Sequence, residues 1–303
     1  MLQLFSHQFQ AMGSRCEFKY YSHEKDEQAL LAAARQRLLQ LEQKYTRYRD
    51  TSVTSKINIA AGSRTPIQVD NETVGLLLYA ATLHEQSDGL FDITSGILRC
   101  AWDFRSDRLP RHDAIESLLP LIGWSKVDWQ PPYFSLPSVG MEIDFGGFVK
   151  EFVADQVASV LRYRGVEHGL VNLGGDIVVI GPHPDGSPWM VGIQHPRQAG
   201  QAIAKIPMTH GAIATSGDYE RYMLIDGIRY CHILNPFTGY PIQSPYASAT
   251  VIADQCLIAG SFSSMALLKS ETEPDWLENS GVAYLLVDQQ MSLISNIPWA
   301  AGQ

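Results

Sequence analysis

Apolar residues recur at helical spacing through Leu30, Leu31, Ala34, Leu38, Leu41 and Tyr45, predicting an amphipathic helix from Lys25 to Tyr45. Residues 71–86 predict a second helix, Phe152, Val157, Val160 and Leu161 a third, and Cys256 to Lys269 a fourth. Short apolar runs bounded by glycine predict strands. Residues 1–21 read as one strand entering through Ala11-Met12-Gly13-Ser14 and continuing from Cys16 to Tyr21. Gly169 to Gly181 reads as two strands about a Gly-Gly turn, Trp189 to Gln194 and Ala247 to Ala253 as further strands, and 281–296 as a closing pair. Asp226-Gly227 is the turn of a hairpin between them. Residues 45–58 read as a polar loop, and 99–140 as a polar insertion containing tryptophan and proline. With no repeat, linker or low-complexity segment, the economical architecture is one α+β domain over 1–303, with mixed sheets and an internal cleft.

Composition changes this picture little. The 45% hydrophobic and 18% charged residues are those of an ordinary globular protein. A net charge of -9 disfavours nucleic acid and anionic membrane as partners, but leaves a phosphate ligand open, since a few backbone amides and one lysine suffice. Cys16, Cys100, Cys231 and Cys256 form no CxxC or His/Cys cluster, which excludes zinc and iron–sulfur readings and fits a reducing compartment. No apolar run is long enough to span a membrane, and the first residues lack the pattern of a signal peptide. As given, the chain reads as cytoplasmic; one trimmed of a signal or lipoprotein segment would read the same.

Candidate chemistry concentrates between Ala212 and Gln243. Thr215, Ser216 and Gly217 lead into Asp218, Glu220 and Arg221, and the hairpin's return strand ends in His232-Ile-Leu-Asn-Pro-Phe-Thr-Gly239. Asn235 before proline and Gly239 after it predict a rigid turn that holds His232 at a sheet edge. That imidazole is either satisfied by backbone or part of a site. Asp144-Phe-Gly-Gly147 followed by a helix carrying Lys150 has the strand, glycine, helix order that binds anions, although neither GxxxxGK[ST] nor GxGxxG is present. The same glycines would serve a close helix crossing. In Gly89-Leu-Phe-Asp92 the carboxylate reads either as facing a ligand or as a helix N-cap.

These motifs, in this order, resemble the ApbE family of FAD:protein FMN transferases. The resemblance rests on AMGS at 11–14, Tyr48 in its polar loop, GLFDIT at 89–94 and DFGGFVKEFVAD at 144–155. It continues through VNLGGDI at 171–177, ATSGDYERY at 214–222 and HILNPFTGYP at 232–241. It implies an ApbE-like fold of two α/β lobes with FAD in the cleft between them. It further implies a reaction in which FAD is cut and its FMN half is attached through a phosphoester to a threonine or serine of a target flavoprotein, with AMP released and magnesium normally required. Position by position, it places FAD contacts at Met12, Tyr48, Leu90, Phe91, Asp92, Asp144, Lys150 and the backbone of Leu234. His232 falls on the family's catalytic histidine, and the Gly147 carbonyl and Ser264 fall on its metal ligands.

The chain departs from the family's last motif, A-D-A-L-[AS]-T-A, whose Asp and Thr bind magnesium. Gly260 stands at the aspartate and Ser264 at the threonine, which leaves a neutral oxygen for a hard cation. Glu151 replaces a common glycine, and Phe237 a common basic residue; Asp176 and Asp254 are the nearby acids. Flavin transfer is therefore set beside two alternatives: a non-catalytic FAD-binding homologue acting as flavin carrier or maturation partner, and an FAD pyrophosphatase. Gly260→Asp is expected to raise magnesium affinity.

Overall fold

The computed structural model describes residues 2–302. Its centre is an eight-stranded sheet in the order Gln3–Ala11, Ser14–Ser22, Gly169–Leu173, Asp176–Gly181, Gly211–Gly217, Tyr246–Ala253, Ala283–Asp288 and Leu293–Ser295. Period-two alternation sends each strand's side chains to opposite faces. On one face Cys16, Phe18, Val171, Val178, Ala212, Ala214, Ala249 and Val251 pack against the helices Glu24–Tyr45, Val149–Tyr163 and Cys256–Lys269. On the other, Leu170, Ile177, Val179, Ile213, Leu285 and Val287 meet a second sheet built from Trp189–Gln194, Ala202–Met208 and Ala300–Ala301. The alanines of the central strands let the Cys256–Lys269 helix lie close to the sheet, and that helix carries the serines of the site.

A third apolar cluster joins Ile97, Leu98, Trp102, Ile115, Ile122 and Met223. It fastens the 99–140 region beneath the Tyr222–Ile225 and Ile228–Cys231 hairpin, whose Asp226-Gly227 turn has both residues at positive φ as such turns require. Trp102 Nε1 donates to the Gly239 carbonyl at 2.7 Å. The insertion thus backs the histidine turn and shares its wall of the cleft, a role its polar composition concealed.

The four helices and the α+β class follow the sequence expectation. Four details do not. Every strand pairing among the described residues is antiparallel, so the sheets are not mixed. Residues 3–22 form a hairpin rather than one strand, because Met12 and Gly13 both take positive φ and reverse the chain. The polar loop after Tyr45 contains the short helix Val53–Ile59, started by Ser52, whose hydroxyl accepts from Ser55 N. Met141–Asp144 is extended but unpaired with any strand: Asn58 clamps it instead, accepting from Ile143 N at 2.8 Å and donating to Ile143 O at 3.0 Å.

Candidate active site

The cleft floor begins at that clamped segment. Asp144 Oδ1 accepts from Gly146 N at 2.8 Å, and its other oxygen pairs with Arg47. This cap sets the turn Phe145–Gly147, after which the Val149–Tyr163 helix starts at Phe148, a residue with no side-chain acceptor for the first amides. Those amides and the positive end of the helix dipole remain available beside the exposed Gly146 and Gly147. Gly147 has a packing reason too: a Cβ there would lie 3.0 Å from the Phe91 ring.

The wall opposite is the histidine turn. Asn235 Oδ1 accepts from Phe237 N at 2.9 Å, while Asn235 N donates to Tyr240 O and Gly239 N to Asn235 O, each at 2.8 Å. The backbone of His232 donates to Arg221 O at 3.0 Å, but its buried ring Nδ1 has no partner. Burial, reinforced by the Arg221 charge, depresses the imidazole to about 4, so it is neutral at physiological pH. A half-buried, neutral imidazole whose inner nitrogen is unpaired is not the backbone-satisfied histidine of an ordinary hairpin.

Between floor and wall lies a cleft of about 1220 Å³. Of the residues expected in a site, Tyr48, Leu90, Phe91, Asp92, Asp144, Gly147, His232, Leu234 and Ser264 line it. Tyr48 is 80% exposed, its ring covered on one side by the Arg47 guanidinium at 4.8 Å. Asp92 is also a helix cap: Oδ1 accepts from the Thr94 amide and hydroxyl, and Oδ2 from Trp124 N. Met12 forms the hairpin turn, with its amide on Glu42 at 2.6 Å, and its neighbour Gly13 reaches the cleft. Lys150 stands apart from the lining, its ammonium 2.9 Å from the buried Asp176 carboxylate, so its charge is compensated within the protein.

Two contributions had no role assigned from sequence. Arg221 lines the cleft with no carboxylate within salt-bridge distance among the described residues, making it the free cation that Lys150 is not. Its signal was its place, two strands' length from His232 across a two-residue turn. Trp102 and Phe104, stacked at 5.7 Å with planes 9° apart, come from the insertion.

The ApbE family model matches residues 12–286, nearly the whole chain. The chain belongs to the ApbE family. An FAD:protein FMN transferase of Klebsiella pneumoniae is 33% identical over 260 residues, covering 84% of this chain and 79% of that protein. The ApbE protein of Thermotoga maritima superposes with a TM-score of 0.87 at 29% identity, over 97% of each chain. The apo form of the flavinyl transferase ApbE from Pseudomonas stutzeri gives 0.84 at 27% identity, covering 97% of this chain and 94% of its own.

The two departures from the ApbE pattern, Gly260 and Glu151, meet in space. A Cβ built on Gly260 would lie 2.5 Å from Glu151 Cγ and 2.8 Å from its Oε1. Gly260→Asp alone therefore cannot simply restore a carboxylate, because Glu151 already fills that space. One turn along, Ser216 Oγ lies 2.9 Å from Ser264 Oγ and 2.8 Å from Ser263 Oγ. Glu151 is buried with Oε2 unpartnered, and burial together with the Asp176 charge pushes its carboxyl above the usual glutamate range. An orphaned carboxylate oxygen beside clustered hydroxyls is a donor set suited to a hard cation such as magnesium.

Proposed function

We propose that this chain is an FAD:protein FMN transferase, moving FMN from FAD to a threonine or serine hydroxyl of an acceptor flavoprotein with release of AMP. The names of its relatives support the reaction. The observation that carries it to this chain is the neutral His232 imidazole, its Nδ1 unpaired, on the wall of a cleft that also presents Arg221 and a helix start without a side-chain cap.

The hydroxyl oxygen attacks the phosphorus of the FMN half, and the diphosphate bond to the bridging oxygen breaks, so that AMP departs with that oxygen. Such a transfer needs positioning, charge neutralisation and a base. The His232 imidazole takes the hydroxyl proton, and its turn is held by Asn235 so that the ring need not move to do so. The free amides after Gly147 and the Arg221 guanidinium face the diphosphate. Tyr48, Leu90, Phe91 and the Leu234 backbone bound the space for the flavin and adenosine. Ser264 and the Gly147 carbonyl would hold magnesium, which when bound supplies charge neutralisation at the diphosphate.

Incubation with FAD and candidate acceptor domains, with and without magnesium, tests this directly. The expected result is AMP in equal amount to flavin covalently bound to acceptor. AMP with only free FMN would make the protein a pyrophosphatase, and intact bound FAD without AMP would make it a flavin-binding homologue.

A further inference from the structure

We propose that Glu151 is the carboxylate ligand of a divalent cation held beside the cleft, where the Val149–Tyr163 and Cys256–Lys269 helices cross, occupying from the first helix the space that a side chain at position 260 would fill from the second. The inference rests on the transferase reading and deepens it. A buried carboxylate left without a hydrogen bond is costly, so its persistence calls for a partner. Glu151 is 8% exposed, its Oε2 has no partner, and no lysine, arginine or histidine lies within salt-bridge distance of it among the described residues. The adjacent Lys150 is directed to Asp176 instead.

The surroundings supply the remaining donors. Glu151 lies over Gly260, and Ser264 is one turn further along the same helical face, at a spacing of roughly 5–6 Å between such positions. The Ser264 and Gly147 positions both open on the cleft. Ser263 Oγ donates to the Gly260 carbonyl at 2.9 Å, fixing the hydroxyl cluster against the helix. No group of three or more His, Cys, Asp or Glu side chains capable of holding a metal exists among the described residues. One carboxylate with neutral oxygens is a poor cage for calcium. It suits magnesium, which keeps its waters and completes its shell with substrate phosphates.

The test uses the full chain and Mn²⁺ as a paramagnetic probe, titrated by EPR in the presence of FAD, with flavin fluorescence reporting FAD binding separately. Glu151→Gln keeps the shape and removes the charge; it is expected to weaken Mn²⁺ binding on the order of 10–100-fold or more while FAD still binds. The exchange Glu151→Gly with Gly260→Asp returns a carboxylate to the same space from the other helix and is expected to restore Mn²⁺ binding. Unchanged Mn²⁺ affinity in Glu151→Gln, or no Mn²⁺ binding by the unmodified protein with FAD, overturns the proposal. Mn²⁺ bound through Glu151 without AMP or covalent flavin leaves the site standing and overturns the transferase reading instead.

Discussion

Glu151 and Asp155 sit one turn apart on the same helix, both turned against the helix Cys256–Lys269, and they end differently. Asp155 accepts from the amides of Cys256 and Leu257, each at 2.9 Å, and so caps the facing helix with both its oxygens. Glu151 reaches the same helix one turn later and finds no donor for its Oε2. The first carboxylate is complete within the fold; the second is complete only when something else arrives. His232 belongs with Glu151, because its backbone is bonded and its ring nitrogen is not. An unsatisfied buried group is a candidate for function where it borders the cleft, as at His232, whereas a satisfied one such as Asp155 serves the fold.

The comparison predicts opposite consequences for the two kinds of group. His232→Ala should lower FMN transfer by about 10²–10⁴-fold, the range for loss of a general base, with FAD affinity and thermal midpoint nearly unchanged. AMP release and flavin fluorescence measure the two halves of that statement. Transfer surviving in His232→Ala would place the unsatisfied ring outside the chemistry. Asp155→Ala should do the reverse. Loss of a cap with two charge-assisted bonds costs about 1–3 kcal/mol of stability, read as a lower urea midpoint, with transfer per folded molecule retained. An Asp155 variant that folds normally and fails to transfer would break the distinction.

Gly260→Asp places the two carboxylates in one space. Overpacking of this kind costs about 1–3 kcal/mol, and Glu151→Gly in the same chain should relieve it. The coupling between the two substitutions, measured as a double-mutant cycle in stability, is the quantity to determine. Additive effects would mean that the side chains do not compete for that position.

The helices were legible because their apolar periodicity is set by burial on one face, and the Asn235–Gly239 turn because its chemistry is local. The hairpin at 3–22 was not, since Met12 at positive φ is an unusual residue for the turn and leaves no glycine signal at its first position. Tyr48, Phe91, Asp144 and His232, named through motif resemblance, line one cleft. What one dimension could not carry was pairing. The sequence presents Gly260 as a lost ligand and Glu151 as a stray charge, 109 positions apart by number. Only the crossing of two helices shows that each occupies the room the other gave up. The partnership of Lys150 with Asp176, and hence the freedom of Arg221, is hidden for the same reason.

Arg221 gives the smallest effect and the sharpest use of pH. Its guanidinium faces the cleft and also helps hold His232 near 4, although burial is the larger cause. As the base in transfer, His232 must be neutral, so the rate should be level through neutral pH and fall only as the solution approaches pH 4. The same depression contributes to stability above the ordinary histidine value near 6.5, and that contribution is lost as pH falls from there towards 4, because the unfolded chain takes the proton first. Removing Arg221 withdraws one of the two effects. Arg221→Ala should weaken FAD binding by about tenfold, the loss of one charge-assisted contact, and move the acid limb of the rate profile upward. It should not bring that limb to 6.5, since burial persists. A limb that stays in place while FAD binding weakens would assign Arg221 to the diphosphate alone; a limb that reaches 6.5 would mean that charge rather than burial keeps His232 neutral.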